Sequence, residues 1–206
     1  MKTVISLCDI TGAMVDPWSV AGFTTVQVDP QHARTVASGA RQVWSTTVEE
    51  CLEDLLSLDD VAFVAAFPPC TDLTRSGARW WPAKAAKDPL FQDKAMALVK
   101  LCAHVGETSG APWMLENPMG AITRLWRKWD HKFHPWQYSG LCPDDNYTKE
   151  TGLWVGGGFT MPEPVVALHL GAPCKKRIHW AAPKDRRNVR SKTPKGFAEA
   201  VFLANR

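Results

Sequence analysis

The sequence predicts a single α/β domain with a Rossmann-like sheet, and three observations carry that expectation. Short β-prone runs alternate with segments that have helical spacing; the 206 residues are 45% hydrophobic; and the most unusual short motifs fall just after the β-prone runs. A chain of this size can bury one substantial core. No internal repeat, low-complexity tract or clean boundary divides it, so residues 1–206 are read as one unit. In such a sheet ligands sit at the carboxyl ends of the strands, which is where the motifs fall.

Residues 4–7 form the first β-prone run and lead into Cys8-Asp9-Ile10-Thr11-Gly12. A helix follows over residues 17–21, with Asp16 as its capping residue and Pro17 at its first position. Residues 24–28 are rich in β-branched side chains and stop at Asp29-Pro30, as a strand would. Residues 47–58 place Val48, Cys51, Leu52, Leu55 and Leu56 on one helical face. Residues 61–67 are continuously apolar and end at Pro68-Pro69, the pattern of a strand buried on both faces of a parallel sheet. A helix over residues 89–105 precedes a short strand at 113–115, which runs into Glu116-Asn117-Pro118. Another short strand at 152–155 precedes Gly156-Gly157-Gly158, and an amphipathic helix over 194–205 closes the fold. The basic, Trp-rich stretch within 121–140 is read as a loop, and the basic stretch at 172–192 as a short excursion.

Composition narrows the class of function. There is no apolar run long enough to span a membrane and no basic-then-apolar leader, so the expectation is a soluble, intracellular protein. Six well-separated cysteines with no CxxC pair argue for free thiols, and Cys142, Cys174, His131, His134 and His169 match no structural zinc spacing. No metal and no membrane partner is expected. Residues 121–195 hold fourteen Lys or Arg against six acids, a net +8 in a chain of net +3, which leaves the remainder at −5. That asymmetry suits a surface that meets a polyanion such as DNA, although a solvated basic face would look the same.

The chemistry-bearing motifs are Phe67-Pro68-Pro69-Cys70, Glu116-Asn117-Pro118 and Lys149-Glu150-Thr151, one near each of three strands and all expected along one sheet edge. In this order they resemble the cytosine-5 DNA methyltransferases, whose catalytic loop reads Pro-Pro-Cys and whose next strand ends in Glu-Asn. The chain looks most like the short phage-type members. Ser6 to Ala13 with Ala21-Gly22-Phe23 is similar to the family's first motif, Lys149 to Gly156 to the strand that begins Arg-x-Arg, and Ser191-Lys192-Thr193-Pro194 with the final helix to the last motif. The resemblance covers nearly the whole chain. It implies a class I S-adenosylmethionine-dependent methyltransferase fold, S-adenosylmethionine as donor, cytosine-containing DNA as acceptor and the cytoplasm of a bacterial host as the place of action.

Carbon 5 of cytosine is a poor nucleophile, so the family adds a cysteine thiolate to carbon 6 and makes carbon 5 enamine-like. By resemblance Cys70 is that nucleophile, and basic groups near its loop would favour the thiolate. Glu116 would bond ring nitrogen 3 and the amino group through a proton-sharing carboxyl, and Lys149 stands where the family points an arginine. Thr151 replaces the second arginine of that pair. The donor would lie against Asp9, Ile10, Thr11, Gly12, Pro68 and Ser191, with its ribose on Asp29 beside Pro30. Ile10 stands where the family usually has a glycine and Ser6 where it usually has the aspartate, so Asp9 takes that role in this reading. Ser45 and Thr46 are candidates for the adenine. Arg75, Arg79, Asn117, Thr151, Lys175, Lys176 and Arg177 are the candidates for nucleic-acid contact, with Trp80, Trp81, Trp126, Trp129 and Trp136 as possible stacking platforms.

One departure bears on the acceptor. Only about 35 residues separate Gly156 from Ser191, where larger family members carry a target-recognition region. Two other readings stay open: modification of a free or single-stranded cytosine nucleotide, with methyl or another donor-derived group, and a non-catalytic nucleic-acid-binding relative. The sequence leaves oligomeric state undetermined.

Overall fold

The computed structural model describes residues 2–175 and 192–206. Among them, seven strands form one mixed sheet in the order β3-β2-β1-β4-β5-β7-β6. They are β1 (Thr3–Leu7), β2 (Thr24–Val28), β3 (Arg41–Trp44), β4 (Val61–Ala66), β5 (Trp113–Pro118), β6 (His131–Phe133) and β7 (Thr151–Gly156). The first five are parallel, and β7 runs antiparallel to both β5 and β6. The helices are α1 (Asp16–Val20), α2 (Leu52–Leu56), α3 (Trp81–Lys87), α4 (Phe91–Thr108), α5 (Ile122–Leu125) and α6 (Lys195–Asn205). The α/β class expected from the alternation is therefore the class observed.

The central strands are apolar at successive positions because both faces are covered. On one face Ile5, Leu7, Val26, Val64 and Leu115 pack with Leu55 of α2 and with Val99, Cys102 and Ala103 of α4. On the other, Val4, Phe63, Ala65, Met114 and Leu153 meet Trp18 of α1 and Phe197, Val201 and Phe202 of α6. Trp18 stacks on Phe63 with centroids 5.1 Å apart, tying α1 to the middle of the sheet.

Several local expectations need correction. Asp16 is the first residue of α1 and makes no capping bond; its carboxylate pairs with Arg41 at 2.9 Å, which ties α1 to β3. The helical face over residues 47–58 condenses into the five residues of α2, preceded by turns in which Glu50 accepts from Thr46 and Thr47. Glu116-Asn117-Pro118 lies inside β5 because the antiparallel β7 prolongs its pairing: Glu116 opposes Leu153 and Pro118 opposes Thr151. The Trp-rich stretch at 121–140 is not a loop off the core. It contains α5 and the edge strand β6, and it buries Phe133 and Tyr138, with Phe133 stacked on Phe197 at 3.8 Å between centroids.

Strand order locates the crevice. From β1 the chain moves outward through β2 and β3, then returns to β4 and β5 on the other side of β1. The connections after β1 and β4 therefore diverge, and a cleft opens between Cys8 and Cys70 at the carboxyl edge of the sheet.

Candidate active site

Four chain segments meet in that cleft, which has a volume of about 470 Å³. The turn after β1 contributes Cys8, Asp9, Ile10 and Thr11. The β4 exit contributes Phe67, Pro68, Pro69 and Cys70. Glu116, Asn117 and Pro118 come from β5, and Lys149 comes from just before β7. Cys70, Glu116 and Lys149, separated by up to 79 positions, thus face one volume. The antiparallel register is the reason: Thr151 opposite Pro118 delivers Lys149 to the end of β5.

Lys149 Nζ donates to Glu116 Oε1 at 3.0 Å, and the two side chains are only 9% and 12% exposed. Such a pair is held far more firmly than a surface one, since water competes little for either charge. Beside it the Glu150 carboxyl is held below the usual range, first by a hydrogen bond from Lys132 and then by that ammonium's charge. Thr151 is fully buried and its hydroxyl donates to the Lys149 carbonyl at 3.3 Å. It therefore anchors Lys149 and is out of reach of a nucleic acid, contrary to the expectation for that position. Asn117 corrects a second one: it is 1% exposed, and its Nδ2 donates to the Pro68 carbonyl at 2.8 Å, so it belongs to the scaffold of the Cys70 loop.

The turn after β1 is organised by Asp9, which is 4% exposed. Its Oδ1 accepts from the Thr11 amide at 2.9 Å, the Thr11 hydroxyl at 3.0 Å and the Gly12 amide at 2.8 Å, and its Oδ2 accepts from the Ser6 hydroxyl at 2.8 Å. The carboxylate is engaged within the turn, whose residues Cys8, Asp9, Ile10 and Thr11 line the cleft, Ile10 and Thr11 being exposed. Gly12 has φ +68°, and a Cβ there would lie 2.5 Å from side-chain atoms of Arg41 and Gln27. Asp9→Ala should destabilise the fold by about 2–4 kcal/mol, because buried donors at Ser6 and Gly12 lose their acceptor. Urea unfolding measures it, and a loss under about 1 kcal/mol would reject this role.

Asp29 is buried at the end of β2, where its Oδ1 accepts from the Gln31 amide at 2.8 Å and the Gln31 side chain at 3.2 Å. It shares the sheet edge with the cleft but does not line it, and Pro30 beside it is exposed. Ser45 donates to the His32 carbonyl and Thr46 to Glu50. A second recess, sharing Pro69 with the cleft, is walled by Glu49, Asp72, Phe91 and Leu98 among others, with a volume of about 680 Å³. Glu49 and Phe91 were not singled out from the sequence, where each looks like an ordinary helix-flanking residue.

Arg75 and Arg79 lie exposed on the short 3-10 helix Arg75–Trp80 that follows the Cys70 turn. Arg79 sits 4.9 Å from the Trp80 ring, and Trp80 is 57% exposed. Trp126 and Trp129 are half-buried in the core margin, with Arg127 over the first and Lys128 and Lys132 over the second, each at 4.9 Å. Trp80 is thus the tryptophan of this group most open to a stacking partner. Lys175 is exposed, whereas Lys176, Arg177 and Ser191 lie outside the described residues. Among the described residues no group of three or more His, Cys, Asp or Glu could hold a metal, and no helix is long and apolar enough to cross a membrane. No model of a known protein family matches the chain, and neither does any curated protein.

Proposed function

We propose that this protein transfers a methyl group from S-adenosylmethionine to carbon 5 of cytosine in DNA, through a covalent adduct of Cys70 at carbon 6. The observation that carries the reading is the convergence of Cys70, Glu116 and Lys149 on one cleft at the point where the strand order reverses. Five parallel strands closed by an antiparallel pair are compatible with a class I methyltransferase fold.

The residues present fit the donor. The turn from Cys8 to Thr11 lines the cleft, with the Asp9 carboxylate held by the Ser6, Thr11 and Gly12 donors of its own turn. The recess across Pro69 offers the flat apolar face of Phe91 and the acceptor Glu49, suited to a purine with an exocyclic amine. When bound, the donor supplies an electrophilic methyl on sulfur. The chain's own groups do the rest. The Cys70 thiolate would form an S–C bond to carbon 6, and the C5=C6 electron pair would move onto carbon 5, conjugated with ring nitrogen 3 on the edge that Glu116 bonds. Lys149 keeps the Glu116 carboxyl oriented and shields its charge. Carbon 5 would take the methyl that the donor supplies, the donor's sulfur keeping the electrons of the broken bond; loss of the carbon-5 proton to solvent would then let its electron pair expel the Cys70 thiolate. Since carbon 6 is unreachable in a stacked duplex, the base must be unpaired or flipped outward.

The test is incubation with methyl-labelled donor and three acceptors: duplex DNA, single-stranded DNA and a cytosine mononucleotide. A parallel incubation uses a 5-fluorocytosine oligonucleotide, whose fluorine blocks the last elimination. Label in DNA and a denaturant-stable protein–DNA adduct are expected. Label in the mononucleotide alone would move the acceptor to free nucleotides, and neither label nor adduct would reject catalysis.

A further inference from the structure

We infer that Asn117 and Gly120 are positioning residues that preset the loop of Cys70, so the thiol is held at the cleft before any acceptor arrives. The loop is stitched to the exit of β5 at both ends. At its start, the buried amide of Asn117 holds the Pro68 carbonyl at 2.8 Å across 49 positions of sequence. At its far end, the Ala121 amide donates to the Leu73 carbonyl at 2.6 Å and the Arg75 amide to the Met119 carbonyl at 3.1 Å. Between these bonds Thr74 bridges Gly120. A Cβ on Gly120 would lie 1.8 Å from the Leu73 carbonyl oxygen and 2.8 Å from Thr74 Cα. These are backbone atoms with no side chain to swing aside, so glycine alone permits the seam.

Within the stitched segment the Cys70 carbonyl accepts from the amides of Leu73 at 3.1 Å and Thr74 at 2.9 Å, closing a tight turn. The Leu73 side chain is fully buried and fixes that turn in the core. The run 116–120 therefore sets two things together: Glu116, which faces the cleft, and the anchors of the loop that carries the attacking sulfur. Placing both on one short rigid segment fixes their separation at folding, and a misplacement of about 1 Å can cost on the order of a hundredfold in rate.

The activity arm of the test rests on the methyltransferase reading, whereas the thiol arm does not. Asn117→Ala and Gly120→Ala are treated with iodoacetamide, and each cysteine's rate is read by peptide mass analysis. Cys70 should be alkylated at least about fivefold faster in both variants, because the loop opens locally, while the buried Cys102 stays protected. In the same variants kcat should fall at least about tenfold with the donor KM within about threefold. Faster alkylation with lower kcat separates positioning from simple loss of fold, which would expose Cys102 as well. Unchanged Cys70 alkylation, or equal acceleration at Cys102, overturns the inference whatever happens to the rate. If the parent transfers no methyl group, the methyltransferase reading fails, and Cys70 alkylation alone decides whether the two residues position the loop.

Discussion

On the methyltransferase reading proposed above, Cys70→Ser should lower methyl transfer by a factor on the order of 10⁴ while leaving the fold and donor binding almost unchanged. The hydroxyl occupies the thiol's space at the end of the Pro68-Pro69 segment, and the turn that carries it is built from backbone bonds to Leu73 and Thr74, which the substitution does not touch. Stability should therefore stay within about 1 kcal/mol of the parent. What changes is the nucleophile: a hydroxyl holds its proton far more tightly than a thiol and attacks a pyrimidine ring poorly once its proton is in place. The variant should also form no adduct with the 5-fluorocytosine oligonucleotide. Turnover within about tenfold of the parent, with an unfolding midpoint equal to the parent's, would remove Cys70 from the reaction and with it the covalent route.

The parts of the fold that were legible in the sequence are those in which a local pattern and a buried role coincide. Residues 61–66 form a strand that is apolar at every position and residues 24–28 one that is β-branched at four of five, while the helical spacing read over 89–105 corresponds to the helix Phe91–Thr108. The strands β3 and β6 were not legible. Arg41–Trp44 and His131–Phe133 are four and three residues long, polar in part, and held mainly by a single neighbouring strand. Their strand character comes from pairing, not from propensity. For the same reason the Trp-rich stretch looked like an excursion: its charged residues dominate the composition, whereas Phe133 and Tyr138, spaced without a helical or strand period, carry its burial.

The candidate site divides along the same line. That Cys70, Glu116 and Lys149 share one cleft was legible in the order of their motifs along the sheet edge, and the register of β5 with β7 brings them together. Asn117 and Thr151 were read as nucleic-acid contacts because a polar residue beside a candidate catalytic one looks like a ligand contact, whereas burial and bonding partners show each holding a backbone carbonyl. Gly120 carried no signal at all. Its requirement lies in the approach of the Leu73 carbonyl, 47 positions earlier, and no single-residue property encodes such a meeting.

Lys149 offers the second large effect, because its pairing with Glu116 is shielded on both sides. Lys149→Met keeps the aliphatic bulk but removes the ammonium, leaving a carboxylate that is 12% exposed without the donor that now meets it at 3.0 Å. Removing one member of a buried pair costs more than the pair contributes, since the remaining charge keeps its desolvation penalty, and about 2–4 kcal/mol of stability should be lost. Glu116→Gln should be milder, because the amide oxygen can still accept from Lys149. The double variant Glu116→Gln, Lys149→Met should lose less than the two single losses together, by about 1 kcal/mol or more, as directly coupled partners do. Lys149→Arg should restore most of the stability and much of the rate, because a guanidinium reaches the same oxygen. Both Lys149→Met and Glu116→Gln should slow methyl transfer strongly, the first by freeing the Glu116 carboxyl to turn and the second by replacing the carboxylate with a neutral amide. Urea unfolding of the four proteins gives the coupling, and labelled-donor assays on the same preparations give the rates. Strict additivity of the stability losses, together with a normal rate in Lys149→Met, would reduce the pair to a packing contact and leave Glu116 to orient itself.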